Sequence, residues 1–475
     1  MLKVTLGTLT TIFCIVSLIV VFYWRDIGFE PASKDLIVFF IALPTVLTLC
    51  ILSPLYIMKW LEYRKVRAEK IQARMNGNDD AEIKHIDAEP TVTQLTIYSS
   101  FATHAFGENV EIKQAIQKFS GPELDNELTN QYGLAIVSYR MKDLELLEAA
   151  EDMPQSVFQL RLMSLIKGQF EHYYSEIQSV IEHIKKSTLF YDRQLAYEYK
   201  IHPAWIRDDG LDINPDSVEE EIPEEVDRLS YLNVHLVLTE AMVHSFDETM
   251  VSEFIEESLF DLGILKQQVR LSFHYWNQKT AYKNWLNLLK SSETLLDEIS
   301  FHIVVDSELN QEIIDENTYN RENYIPAEFA CSCLISSPNL VVETLTPTET
   351  LYIIENEKNL NDRLEKLNLQ DSPQYENEQP FVVVLDSIEG AKVSKQLNQF
   401  FSETEIGTQH FLLSNQSLGH TQTLAEIWGM MLGTQIAEDE FNLVFSTKYP
   451  ELQIFILPYE SNNSVVKDEE LREKS

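Results

Sequence analysis

The chain has 475 residues, a net charge of −38, 44% hydrophobic residues and 11% aromatics. That apolar content can bury sizeable cores, which excludes a disordered polymer. The acidity repels phosphate backbones, which excludes nucleic acid as a partner. The charge is also uneven: residues 1–74 hold nine Lys/Arg and five Asp/Glu, leaving 28 basic and 70 acidic residues beyond them. Such an acidic surface is first of all a solvated one, and it is compatible with a basic protein partner.

Val4 to Trp24 is a run of 21 residues without a charge, and Leu36 to Met58 is another of 23. Each exceeds the roughly 20 residues that cross about 30 Å of hydrocarbon. Tyr23 and Trp24 close the first span, and Trp60 and Tyr63 follow the second, as interfacial aromatics do. A cleavable signal peptide is disfavoured, because the apolar run is too long and a second span follows at once. The turn between spans carries Arg25 and Lys34, whereas Lys59, Arg64, Lys65, Arg67, Lys70 and Arg74 come directly after the second. This bias predicts a two-span protein of the bacterial inner membrane with both termini and the globular region in the cytoplasm. Cys14 and Cys50 fall inside the spans, so the soluble part has only Cys331 and Cys333, as suits a reducing compartment.

The expected organisation is a membrane hairpin with a basic juxtamembrane helix over 1–75, a first α/β half over 90–215, a second over 228–460 and a charged tail over 461–475. From Thr91 the pattern reads strand (91–99), helix (111–119), strand (132–140), then one long amphipathic helix over 155–186. Residues 206–227 are acidic and Pro-containing and read as a loop. Alternation then resumes: strand 232–238, helix 247–262, strand 268–276, helix 279–295 and strand 299–307. There follow a strand at 329–336, a polar linker over 356–379, strand 381–386, helix 391–401 and strand 410–414. A helix over 421–437 and two terminal strands, turning at Lys448-Tyr449-Pro450, complete the pattern. Strands alternating with helices predict an α/β or mixed layered fold. No fixed-period repeat is visible.

No G-x-G-x-x-G, Walker-type loop, G-x-S-x-G elbow or H-E-x-x-H occurs, so no cofactor or metal is expected. Cys331-x-Cys333 lies in an apolar strand, where alternate residues share a face, and reads as buried small residues. His235 and His302 read as core or edge histidines, and Glu219-Glu220-Glu221 as a loop charge run.

The stretch from about 280 to 460 resembles the C-terminal half of the β-ketoacyl synthase and thiolase-like family. A Trp285-containing helix leads to Val305-Asp306-Ser307, and Asn323 to Ser337 is similar to the family segment around a glycine-flanked glutamate, here Ala327-Glu328-Phe329-Ala330. SLGHTQTLAEIWGMMLG is similar to the family's G-H-T-x-x-A-A-G helix start, which matches His420 to the second catalytic histidine. The family's nucleophilic cysteine, placed at a helix N-terminus in the first half, has no counterpart, since no cysteine occurs between Cys50 and Cys331. Ser387-Ile388-Glu389 occupies the place of the first histidine. Of the triad only His420 survives, and it reads as a structural helix-start histidine. The resemblance implies an α/β, thiolase-like globular region behind two transmembrane helices, kept for binding after its chemistry was lost. The function so implied is a membrane-anchored cytosolic scaffold with a protein partner. A homodimer is expected by analogy, and a membrane-associated acyltransferase is the alternative. The layout also weakly resembles accessory proteins of bacterial type VI secretion systems.

Overall fold

The computed structural model describes residues 90–142, 157–206, 225–244, 246–320, 324–386, 391–417, 423–435 and 440–459, Leu144 and Glu145, and scattered positions between 13 and 43. It divides into two units, Met1–Ala88 and Glu89–Ser475. In the first, the ring of Phe40 lies 6.5 Å from that of Phe13 and 5.9 Å from that of Trp24. The spans 4–24 and 36–58 otherwise fall outside the described residues. Among the described residues no helix is long and apolar enough to cross a membrane, so the transmembrane hairpin forms no part of the fold described below. The basic helix of 59–75 and the tail of 461–475 also lie outside it.

In the second unit the apolar runs of the sequence become strands buried on both faces. They are β1 (Thr91–His104), β2 (Gly107–Glu108), β3 (Glu123–Thr129), β4 (Ala135–Ser138), β5 (Tyr231–Thr239), β6 (Val269–Trp276), β7 (Glu298–Ser307) and β8 (Glu328–Ser336). After them come β9 (Glu349–Glu355), β10 (Val382–Val384), β11 (Phe411–Leu413), β12 (Asn442–Phe445) and β13 (Gln453–Pro458). Apart from the β3–β4 hairpin, they form one sheet ordered β6-β5-β7-β8-β1-β9-β13-β12-β10-β11, with β2 paired to β1. Every residue of β7 and β8 is buried.

This order is a duplication. Outward from the central β1–β9 pair, β1-β8-β7-β5-β6 and β9-β13-β12-β10-β11 show the same relation at each step. Two antiparallel contacts are followed by two parallel ones. The chain visits both sets in the same sequence, so β1 with β5–β8 is one repeat and β9–β13 the other. The acidic stretch around 215–228 interrupts the chain inside the first repeat, and the division between repeats falls between β8 and β9.

The helices are α1 (Val110–Gln117), α2 (Val157–His172), α3 (Tyr174–Tyr191), α4 (Arg193–Ile201), α5 (Glu248–Asp261) and α6 (Ala281–Glu293). Next are α7 (Gln311–Asn320), α8 (Leu360–Lys366), α9 (Ala391–Phe400), the single turn α10 (Ser414–Ser417) and α11 (Ala425–Gly433). Two expectations are corrected. The helix of 155–186 is two helices broken at Tyr173, whose buried hydroxyl donates to the Ser332 carbonyl 2.9 Å away. The polar linker of 356–379 contains α8, which starts where the Asn359 side chain accepts from the Asn361 amide.

Helices α2, α3 and α5 cover one face of the first repeat, with Phe170, Ile181 and Ile255 against Leu236, Phe301 and Leu334. The same face of the second repeat is covered by α8 and α9, with Leu364 and Leu397 against Val382 and Phe445. The opposite face of both repeats belongs to α6 and α11, which occupy equivalent places in the duplication and share one core with Val304, Cys331, Val383 and Val444. Close approach of α11 needs glycine: a Cβ on Gly433 would sit 2.8 Å from Val444 Cγ2, and one on Gly429 2.6 Å from Leu385 Cδ2. The two helices meet where the indole N–H of Trp285 donates to Met430 Sδ at 3.3 Å. Trp285 is fully buried. Trp285→Ala is therefore expected to cost about 3–5 kcal/mol in denaturant unfolding, as emptied aromatic sites do.

Candidate functional site

The family's nucleophile belongs at a helix N-terminus in the first repeat, opposite loops of the second. Helix α6 supplies that geometry. Its first turn meets the carboxyl ends of β10 and β12, because Tyr282 packs against Tyr449, ring centroids 5.7 Å apart, and faces Asp386 and Glu426. Strands β10 and β11 are adjacent and parallel. The segments that follow them therefore leave one edge of the sheet, and these contain Ser387-Ile388-Glu389 and His420. Residues 387–390 and 418–422, His420 included, lie outside the described residues.

The groups at this edge are committed to one another. Asp386 accepts from Ser446 Oγ at 3.1 Å and from the Thr447 amide. Glu426, in the first turn of α11, accepts from Lys448 Nζ at 2.5 Å. At the N-terminus of α6 the Thr280 hydroxyl donates to Asn277 Oδ1 at 3.1 Å, and that same oxygen accepts the amides of Lys279 and Thr280. No thiol is present there. The space behind Ala281 is filled by the Tyr282 ring, which is only 4% exposed. Burial first, and then the facing Glu426 and Asp386 carboxylates, push its phenol far above its ordinary value, so it stays protonated.

Cys331 and Cys333 stand on the inner face of β8, both buried and free. Burial raises both thiols well above their ordinary value, which removes thiolate character. Next to Cys333 in the register is His302, and beyond it His235, with rings stacked 4.9 Å apart. His235 Nδ1 lies 3.1 Å from His274 Nε2, one ring donating to the other. Burial holds all three imidazoles neutral, His235 at about 4. The row is a stack within the core, and among the described residues no set of three ligating side chains could hold a metal ion.

The glutamate of the family-like segment, Glu328, starts β8 and is fully buried. It accepts from Arg161 Nε at 3.0 Å, from Arg161 Nη2, from the Met141 amide at 2.7 Å and from Ser307 Oγ at 3.4 Å. Arg161 also donates to the Met141 carbonyl at 3.0 Å. With four donors on one carboxylate, no lone pair is left for acid–base work. The pair clamps the segment after β4 to the first repeat. Beside it a cleft of about 590 Å³ is lined by Phe106, Tyr139, Arg140 and Leu144. Its cations are also engaged, Arg140 with Asp125 at 2.8 Å and Lys142 with Glu123. Sequence reasoning missed Arg161 and Tyr282, because each looks like an ordinary position on a helix face until the other repeat is in place.

No family model matches the chain, and no curated protein matches it in sequence. Solved structures do resemble it. The ketosynthase from module 6 of the bacillaene synthase of Bacillus subtilis 168 is 10% identical, with a TM-score of 0.42 over 78% of this chain and 72% of that one. Human mitochondrial 3-ketoacyl-CoA thiolase, in complex with CoA, is 8% identical, with a TM-score of 0.29 over 50% and 87%. The peroxisomal 3-ketoacyl-CoA thiolase of Saccharomyces cerevisiae is described as a five-layered structure of two core domains of identical topology. It is 9% identical, with a TM-score of 0.29 over 48% and 83%. The globular region has the layered, thiolase-like α/β fold that the sequence resemblance implied, seen here in its own duplicated strand order. Likeness at this distance says nothing of chemistry, and it gives the secretion-system resemblance no support.

Proposed function

We propose that the chain is a membrane-tethered scaffold whose thiolase-like body binds a protein partner and carries out no acyl chemistry. The observation that carries this reading is the N-terminus of α6. Where the family mechanism requires a thiolate, the chain has Thr280, Ala281 and a buried, protonated Tyr282 packed against Tyr449. An acyl transfer needs a nucleophile and an oxyanion donor within about 3 Å of the reacting carbonyl, and here an aromatic ring fills that volume. The two uncharged runs at 4–24 and 36–58 support the tether, and the basic residues between 59 and 74 support a cytoplasmic body. Incubating the purified full chain with a radiolabelled acyl-carrier thioester tests the proposal. No label above background is expected on the protein, and His420→Ala should change nothing. Covalent label or turnover that disappears in His420→Ala would establish the acyltransferase reading instead.

A further inference from the structure

Strand β6 is the last strand of the sheet, and all of its pairing is with β5, from Leu232↔Val269 to Thr239↔Trp276 without a register break. Among the described residues no strand pairs with its outer side. Exposed edges in soluble proteins are normally blunted by shortness, proline, bulges or outward lysines. The opposite edge, β11, has three residues. Strand β6 has eight, with no proline and no bulge. Its one formal cation, Arg270, is engaged with Glu298 at 2.5 Å and lies 3.6 Å over the Tyr231 ring. Leu271, Phe273 and Tyr275 alternate along it and stay half-exposed although they touch the core.

The neighbouring helix α5 sets the chemistry of whatever covers this edge. It carries Glu248, Glu253, Glu256, Glu257 and Asp261 and no Lys or Arg. Between α5 and the start of β6 runs a groove of about 520 Å³, lined by Glu256, Glu257, Phe260, Asp261, Val269 and Leu271. Lys266 also lines it but is bonded to Glu256 at 2.7 Å. The edge therefore offers unpaired backbone groups, an apolar strip and a carboxylate rim.

We infer that β6 is a docking edge for an extended segment of a partner protein that carries apolar residues at alternate positions and lysines or arginines between them. Such a segment adds a strand by backbone hydrogen bonds, buries its apolar face on Leu271, Phe273 and Phe260, and pairs its cations with the α5 carboxylates. A second copy of this chain fits less well, because it would bring another net charge of −38 to the same edge. The inference rests on the scaffold reading but fails separately from it, since the thioester experiment does not involve β6.

The test uses the full chain in detergent micelles and a fluorescein-labelled nonapeptide of alternating valine and lysine, followed by fluorescence anisotropy. Binding is expected that weakens as salt rises. It should weaken at least tenfold in Phe273→Lys and in Glu257→Lys, the latter a change at an exposed position that leaves the fold intact. A peptide of equal charge with its central valine replaced by proline should also lose at least tenfold. Three results would overturn the inference: no binding; equal binding of the proline peptide, which signals charge attraction alone; or a wild-type dimer in sedimentation that Phe273→Lys dissociates, which assigns the edge to a second copy.

Discussion

Arg161→Ala should destabilise the globular region by about 3–5 kcal/mol, the cost of leaving one member of a buried ion pair without its partner. The Arg161 and Glu328 side chains are 7% and 0% exposed, so solvent cannot replace the lost donors. The truncation would strand Glu328 with the Met141 amide and Ser307 hydroxyl as its remaining donors, and it would release the Met141 carbonyl. Denaturant unfolding followed by circular dichroism checks the size. The double variant Arg161→Met with Glu328→Met separates the pair from the cavity, because replacing both charges with apolar groups of similar bulk is often neutral. It should recover most of the loss. If Arg161→Ala and the double variant lose the same amount, packing around α2, not the uncompensated charge, dominates.

Asp306→Asn should make the protein more stable at pH 8 by a few kcal/mol and change little at pH 4. Asp306 is buried at the end of β7, and loss of hydration raises its carboxyl from 3.8 to about 7. Between those values the unfolded chain has released the proton while the folded chain keeps it. Stability contributed by this group therefore falls as pH rises from about 4 to 7 and is flat above. His235 works in the opposite sense. Its imidazole titrates at about 4 when folded against 6.5 unfolded, so it lowers stability as pH falls from 6.5 toward 4. The total pH profile mixes the two. Subtracting the Asp306→Asn profile from that of the wild type isolates the aspartate, and a difference independent of pH would refute the assignment.

The strands of the first repeat were legible because β5, β7 and β8 are nearly continuous apolar runs between polar turns, a pattern that fits strands covered on both faces. Strand β9 was not read, since Glu349 and Thr350 open it with polar residues that are buried only because β1 and β13 flank it. The break at Tyr173 has no glycine or proline to announce it. The duplication left no trace in sequence because equivalent strands differ in length, nine residues in β5 against three in β10. At the site, the absence of a thiol was legible from cysteine positions alone. The role of Tyr282 was not, for it depends on Tyr449 and Asp386 arriving from the other repeat. Glu328 could be singled out by its family-like setting, whereas its partner lies 167 residues away in sequence.

The central β1–β9 pair also governs how the molecule comes to be made. Strand β1 is the first element of the globular region to leave the ribosome, and both of its neighbours are synthesised much later. Its Tyr98 side chain bonds the carbonyl of Leu340, 242 residues on, and its Thr103 bonds that of Ala330, 227 residues on. At about 5–20 residues per second, a fourteen-residue strand with a largely apolar face waits on the order of tens of seconds for its first partner. Neither repeat can close without it, since β1 is the innermost strand of the first and the seam to the second. Folding is therefore post-translational in its decisive step and slow by virtue of its long sequence separations. Throughout synthesis the nascent chain depends on holdase chaperones to keep that strand from pairing with its neighbours on the polysome.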